Sequence, residues 1–286
     1  KTGRGGTQPM KYDPSILVVG SVAIDSVATP YGKREDVLGG SATFFSLAAR
    51  FFNAVNVVAV VGSDFPKKYA QIFTNNRIGI EGLVVKSGKT FRWKGKYRQD
   101  LNTVDTVYTR LNVFQDFKPV VPERLRRVKT LFLANIDPEL QYDVLSQIAK
   151  PSLIACDTMN YWINNKREYI LKVLKKIDII LLNDSEAKLL SGCSNLVQAA
   201  QWVISKGPSI VVIKKGEHGV LMLGKDASRF LAPAFPLTSL RDPTGAGDSF
   251  AGGMIGFLSR AEKVNIQTIR KAIIYGSVLG SFCVED

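Results

Sequence analysis

The chain has 286 residues, 45% of them hydrophobic, and a formal net charge of +13 at pH 7, which is enough apolar material for one large α/β core with a small appendage. No apolar run approaches the roughly 20 residues needed to cross a bilayer, and the N-terminus lacks the continuous apolar block of a secretory signal, so the sequence reads as cytoplasmic, without a membrane role. Cys156, Cys193 and Cys283 are scattered, odd in number and outside any CxxC spacing, and His218 is the single histidine, which sets aside disulfide, zinc and Ser-His-Asp chemistry.

Residues 1–15, KTGRGGTQPMKYDPS, read as a flexible N-terminal extension with Met10 as a candidate start, and residues 16–286 read as the folded domain. SILVVGSVAID predicts a strand running into a glycine turn and ending at Asp25. LGGS, with Gly39 and Gly40, opens a helix in ATFFSLAARFF, where Phe44, Leu47, Ala48 and Phe51 follow helical spacing. VNVVAVVG predicts a buried strand and FPKKYAQIFTNNR a helix.

Thr90 to Val113 then changes period, with Phe91, Trp93 and Tyr97 on one face and Arg92, Lys94, Lys96 and Arg98 on the other, which predicts two strands around a turn near Asp100 to Thr103. The expectation is a small antiparallel β lid, built from about 26–38 and 86–115, that covers a substrate or a partner subunit. Its cations read as a solvated strand face, and no helix-turn-helix, zinc-finger or RNP pattern argues for nucleic acid as a partner. From TLFLANI to GVLMLG apolar strands alternate with amphipathic helices, the pattern of a parallel sheet covered on both faces, whose ligands gather beyond the carboxyl ends of the strands.

Four stretches after such strands carry candidate chemistry. In RDPTGAGDSFAGG, residues 241–253, Gly245 and Gly247 allow a tight turn and the following helix offers free N–H groups to an anion. Asp248 there is either a helix cap or the acceptor of a proton in phosphoryl transfer. In LLNDSEAKLL, Asn183 and Glu186 are either a capping box or oxygens that orient the waters of a magnesium ion. VVIKKGEHGVLML is a hairpin or a nucleotide-binding turn around Gly216 and Gly219, and CDTMNYW offers Asp157 and Asn160 to the floor of a cleft.

DPTGAGDSFAGG is similar to the signature D-T-x-G-A-G-D-x-F, and with N-x-x-E and K-x-G-x-x-G in order the chain resembles, from about Ile16 onward, the PfkB or ribokinase-like family of carbohydrate and nucleoside kinases. The resemblance implies a ribokinase-like three-layer α/β/α sandwich with a mostly parallel central sheet. It implies ATP-dependent transfer of the γ-phosphate to a hydroxyl of a small sugar, polyol or nucleoside, with Mg2+ and a monovalent cation such as K+. Asp248 becomes the base, and the amides of Gly245, Ala246 and Gly247 the anion hole. Asn183 and Glu186 attend magnesium through water; Lys214, Gly216 and Gly219 form the nucleotide-side turn; Asp242 and Thr244 lie near phosphates or the monovalent cation. Asp25, Gly39 and Gly40 belong to the acceptor side, with Arg92 adding positive charge from the lid, which in many relatives also makes a homodimer contact.

Two places depart from the family pattern. Many sugar-specific relatives have Asn where this chain has Phe44, so this ring either stacks on an apolar part of the acceptor or belongs to the helix core. Relatives also continue beyond SVLGSFCVED, which leaves Gly276 and Ser277 as candidates for an adenine wall that is truncated or completed differently. The competing readings are a nucleoside, adenosine-like kinase rather than a sugar kinase, and a kinase-like binding module with weak catalysis.

Overall fold

The computed structural model describes residues 16–285, so the expected N-terminal extension lies outside the described residues. The strands are β1 (Ile16–Val19), β2 (Ala23–Thr29), β3 (Gly32–Gly39), β4 (Val55–Gly62), β5 (Gly79–Lys86), β6 (Arg92–Tyr97) and β7 (Val104–Arg110), then β8 (Thr130–Leu133), β9 (Leu153–Asp157), β10 (Ile179–Asn183), β11 (Ile210–Lys214), β12 (Val220–Gly224) and β13 (Arg229–Ala232). The helices are α1 (Ser41–Ala49), α2 (Lys67–Asn75), α3 (Pro138–Gln147), α4 (Asn160–Asn165), α5 (Arg167–Leu174), α6 (Asp184–Ser191), α7 (Leu196–Ile204), α8 (Ala246–Leu258) and α9 (Ile266–Glu285).

Nine strands form one sheet in the order β13-β12-β11-β10-β9-β8-β1-β4-β5. It is parallel from β5 through β11; β12 alone runs the other way, pairing antiparallel with both β11 and β13. The strands are apolar without alternation because both faces are covered. In β1, Ile16 and Val18 enter one core with α1, α2, α8 and α9 (Ala42, Phe45, Phe73, Met254, Ile273), while Leu17 and Val19 enter the other with α3 to α7 (Val144, Ile163, Leu174, Ala187, Val203). Burial of those side chains drives the three layers together. No helix among the described residues is long and apolar enough to cross a membrane.

The lid is a separate four-stranded sheet, β3-β2-β6-β7. Its two outer pairs are antiparallel, as expected, and they join through a parallel seam between β2 and β6. The β6–β7 register shifts between Lys94 and Gly95, where β7 carries the extra residue Val107, so the alternation of β6 itself continues and Trp93 and Gly95 share a face. Phe91 stacks on Phe114 beneath the lid, Trp93 lies over Gly95, and Tyr97 reaches the loop before α8.

Helix α1 also corrects the expected face. Phe45, Ala48 and Ala49 enter the core, while Phe51 is 62% exposed and Phe44 only half-buried, because the buried stripe runs one residue later than the Phe44–Phe51 spacing suggested.

Candidate active site

Adjacent parallel strands place their last residues side by side, and three such ends form the floor of the site. Asp157 ends β9, Asn183 ends β10, and Lys214, paired in register with Asn183, ends β11. Lys214 Nζ lies 3.1 Å from Asp157 Oδ2. Glu186, on the first turn of α6, is buried beside them and completes a capping box: its Oε2 accepts the Asn183 amide at 2.7 Å, and Asn183 Oδ1 accepts the Glu186 amide at 2.8 Å. The capping interpretation of this pair is therefore realised, and any further role falls to the oxygens left over.

The RDPTGAGDSFAGG stretch closes this floor from above. Gly245 takes φ 78°, a left-handed conformation that favours glycine, and α8 starts at Ala246 with no side-chain cap. Asp248 is thus in the first turn but does not cap the helix. The Ala246 amide donates to the Pro243 carbonyl at 3.1 Å, so it is less open to an anion than expected. The amides of Gly245 and Gly247 have no backbone acceptor among the described residues, which leaves two donors and a helix N-terminus for negative charge. Burial, with the charges of Asp157 and Asp25 adding to it and Lys214 opposing, raises the Asp248 carboxyl to about 7. Burial and Asp157 likewise push Glu186 up to about 8. Lys214 remains a cation: desolvation works against its charge, but Asp157, Glu186 and Asp248 together outweigh it and raise its pKa.

At the end of the cleft expected to take the acceptor, Asp25 is 6% exposed, and its Oδ1 is buried without a hydrogen-bond partner. Burial raises its carboxyl to about 7, the Gly40 amide opposes, and the Asp242 charge adds to the rise. The di-glycine has two distinct reasons. A Cβ on Gly39 would stand 1.9 Å from Asp25 Oδ2, and Gly40 holds φ 96° against the Ser21 carbonyl. Phe44 is brought to the Gly245 turn rather than to the core: a Cβ on Gly245 would meet its ring carbons at 2.3–2.5 Å.

Beyond the floor, a cleft of about 440 Å³ runs between Gly216, Gly219 and Val220 on one side and Ala246, Gly247, Phe250 and α9 on the other. Gly216 (φ 54°) and Gly219 (φ 77°) make the expected turn between β11 and β12. The α9 wall is Ser277, Gly280, Ser281 and Val284. Gly276 is corrected: it is buried against α8, where a Cβ would lie 2.8 Å from the Phe250 carbonyl, and it does not line the cleft.

Other expected residues stand elsewhere. Arg92 pairs with Asp36 and Asp64 within and beneath the lid. Asn160 is exposed at the start of α4, with no capping bond there, and is not brought to Asp157's partners. Asp242 accepts the Thr244 amide at 2.9 Å, and the Thr244 hydroxyl lies 3.3 Å from the Tyr97 hydroxyl. Tyr97, with Leu101 and Asn102 of the lid turn, was not read as a site residue. Tyr97's place among the apolar alternation was the available signal, but its partner lies 147 positions away in the chain.

The pfkB family carbohydrate kinase profile matches residues 13–286. The chain is 30% identical over 252 residues to a cytidine kinase of Thermococcus kodakarensis, covering 86% of this chain and 88% of that one. It is 29% identical over 119 residues to a ribokinase of Staphylococcus aureus, covering 40% of this chain and 37% of that one. Its fold superimposes with a TM-score of 0.80, at 16% identity and over 96% of this chain and 94% of the other, on a double mutant of a fructokinase from Vibrio cholerae O395 in fructose, ADP and potassium ion bound form. With a strand-end floor, a glycine turn and an acid in the order its motifs require, the chain belongs to the pfkB family of carbohydrate kinases and is a phosphotransferase with hydroxyl acceptors.

Proposed function

We propose that the enzyme transfers the γ-phosphate of ATP to a hydroxyl of a nucleoside. The observation that carries the acceptor class is the Phe44 ring packed on Gly245: it puts an apolar face beside the reacting position, where a hydroxyl of a simple sugar would find no hydrogen-bond partner. The similarity to a cytidine kinase over most of both chains, against partial coverage of a ribokinase, supports the same class.

In this reading Asp25 anchors an acceptor hydroxyl through its unpartnered Oδ1, and Asp248 accepts the proton of the attacking hydroxyl. The open amides of Gly245 and Gly247 hold the transferring group, and the cleft along Gly216, Gly219 and α9 holds the nucleotide. The capping box leaves Glu186 Oε1 over, which would accept from the waters of a hydrated magnesium ion, with Asn183 holding that carboxyl in place. When bound, that ion neutralises phosphate charge. A monovalent cation is assigned to the loop of Asp242 and Thr244, and a homodimer contact to the lid, where Tyr31, Val104 and Val107 are exposed. Thiols at Cys156 and Cys193 suit a cytoplasmic location.

The test is ADP release over a panel of nucleosides, pentoses, hexoses and polyols. Nucleosides are expected to exceed the others by at least about tenfold in kcat/KM, and Phe44→Asn to narrow that gap by about 1–3 kcal/mol. Sugar or polyol turnover alone, with selectivity unmoved in Phe44→Asn, would overturn the acceptor class. Asp248→Asn is expected to lose about 10²–10⁴ in kcat, and full turnover there would remove the assigned base.

A further inference from the structure

Lys214 entered the sequence reading as part of the nucleotide-side turn, yet its side chain leaves that turn. It is the last residue of β11, and its ammonium is 3.1 Å from Asp157 Oδ2 and 3.1 Å from where a Cβ on Gly247 would stand. The cation therefore abuts the first turn of α8 at an amide that has no backbone acceptor among the described residues. The Lys214 and Asp157 side chains are 17% and 6% exposed. A pair this enclosed gains little stability over apolar residues of the same size, so its retention here calls for another reason. The charge balance supplies one. Asp157, Glu186 and Asp248 all act on Lys214, so the one lysine stands among three acids at the place where a further negative group must be received.

We propose that Lys214 is a catalytic residue that touches the transferring phosphoryl group: its ammonium, held by Asp157 beneath Gly247, donates a hydrogen bond to a non-bridging oxygen of that group. This rests on the kinase reading of the site. In the step, the acceptor oxygen bonds to the γ-phosphorus as the bond from that phosphorus to the β–γ bridging oxygen breaks. The electron pair leaves on ADP, the hydroxyl proton passes to Asp248, and Lys214 keeps its protons throughout. Asp157 is a positioning residue, acting through Lys214. A Cβ at Gly247 would crowd the ammonium at 3.1 Å.

The test combines kinetics with binding. Lys214→Met, Lys214→Arg and Asp157→Asn are compared with wild type for kcat and KM of ATP. Calorimetry then measures the affinity of each for ADP–magnesium alone and with aluminium fluoride, a mimic of the phosphoryl group in flight. Loss of one such donor costs about 10²–10³ in kcat, so Lys214→Met is expected to fall in that range. Its KM for ATP and its ADP affinity should stay within about threefold, because the interaction is made only in the transition state. Aluminium fluoride should tighten ADP in wild type and in Lys214→Arg but not in Lys214→Met, and Asp157→Asn should fall between. Tightening retained by Lys214→Met, or kcat within about threefold of wild type, would overturn the assignment. If Lys214→Met fails to fold, Lys214→Arg and Asp157→Asn decide: unchanged kcat and unchanged tightening in Asp157→Asn removes the proposed support. Wild type that binds ADP but phosphorylates no nucleoside defeats the acceptor class alone, and the aluminium fluoride measurement still decides Lys214.

Discussion

Asp248 and Asp25 both carry carboxyls raised to about 7, chiefly by burial, and each acid serves as a test of the other. A base must be ionised to work, so kcat/KM is expected to rise with pH through about 7 and then level off, read from initial rates between pH 5.5 and 9. Stability should run the opposite way. The folded Asp248 binds its proton more tightly than the unfolded chain, whose value is 3.8, so stability is greatest below that value, falls as pH rises toward about 7, and is flat above. Asp248→Asn removes the ionised form and should be the more stable protein at pH 8, by about 1 kcal/mol or more, which is about 2–4 °C in Tm. A lower Tm for that variant would contradict the burial argument. Much of this scale was legible in sequence, since the acid after a glycine turn and the di-glycine are local patterns. What could not be read was Phe44, whose partner Gly245 is two hundred residues on, or the orphaned oxygen of Asp25, which depends on how three segments pack around it.

Helix α8 shows how an element can be built for proximity rather than for its own stability. Glycine is a poor helix former, yet α8 carries Gly252, Gly253 and Gly256, because α1 crosses one side and α9 the other. A Cβ on Gly252 would stand 2.3 Å from the Phe45 carbonyl, and on Gly253 2.9 Å from the Tyr275 carbonyl. Backbone atoms do not yield as side-chain tips do. Gly252→Ala is therefore expected to destabilise by about 1–3 kcal/mol despite the better helix propensity, measured by urea unfolding. Gly280→Ala, whose nearest neighbour would be 3.2 Å away, should cost less, and the reverse order would refute the packing account. The strand and helix alternation was readable because both are periodic in sequence. The face of α1 was misread by one residue because ATFFSLAARFF is apolar on too many sides for spacing to choose, and Gly276 was misassigned because close helix contact and ligand contact both select glycine.

At the scale of the whole molecule the lid is seated on both halves of the site. Its β2 strand contains Asp25, Tyr97 meets Thr244 beside the Gly245 turn, and Leu101 and Asn102 line the cleft next to Gly216. Burial raises the Tyr97 hydroxyl to about 12, so it stays neutral at working pH and accepts the Thr244 hydroxyl at 3.3 Å. Tyr97→Phe removes that one bond to the turn, and ATP hydrolysis without acceptor is expected to rise severalfold as water gains entry, measured as phosphate release. An unchanged rate would deny the tyrosine a part in closure. The lid's existence was visible in the period-two stretch, but its parallel seam was not, because β2 and β6 are joined through β3, α1, β4, α2 and β5, and register across such a crossover leaves no local mark.

The reach of that lid turn has a thermodynamic consequence. Under the proposed assignment of the site, a single sheet that supports Asp25 at one end and roofs the proposed nucleotide cleft at the other ties two affinities to one conformational equilibrium. Whatever factor the acceptor adds to nucleotide binding, the nucleotide must return to the acceptor, because linkage is reciprocal. Titrating each ligand in the presence and absence of the other should yield the same cooperativity constant, and shortening the turn at Leu101–Asn102 should bring that constant toward one while leaving each ligand's own contacts with the floor in place.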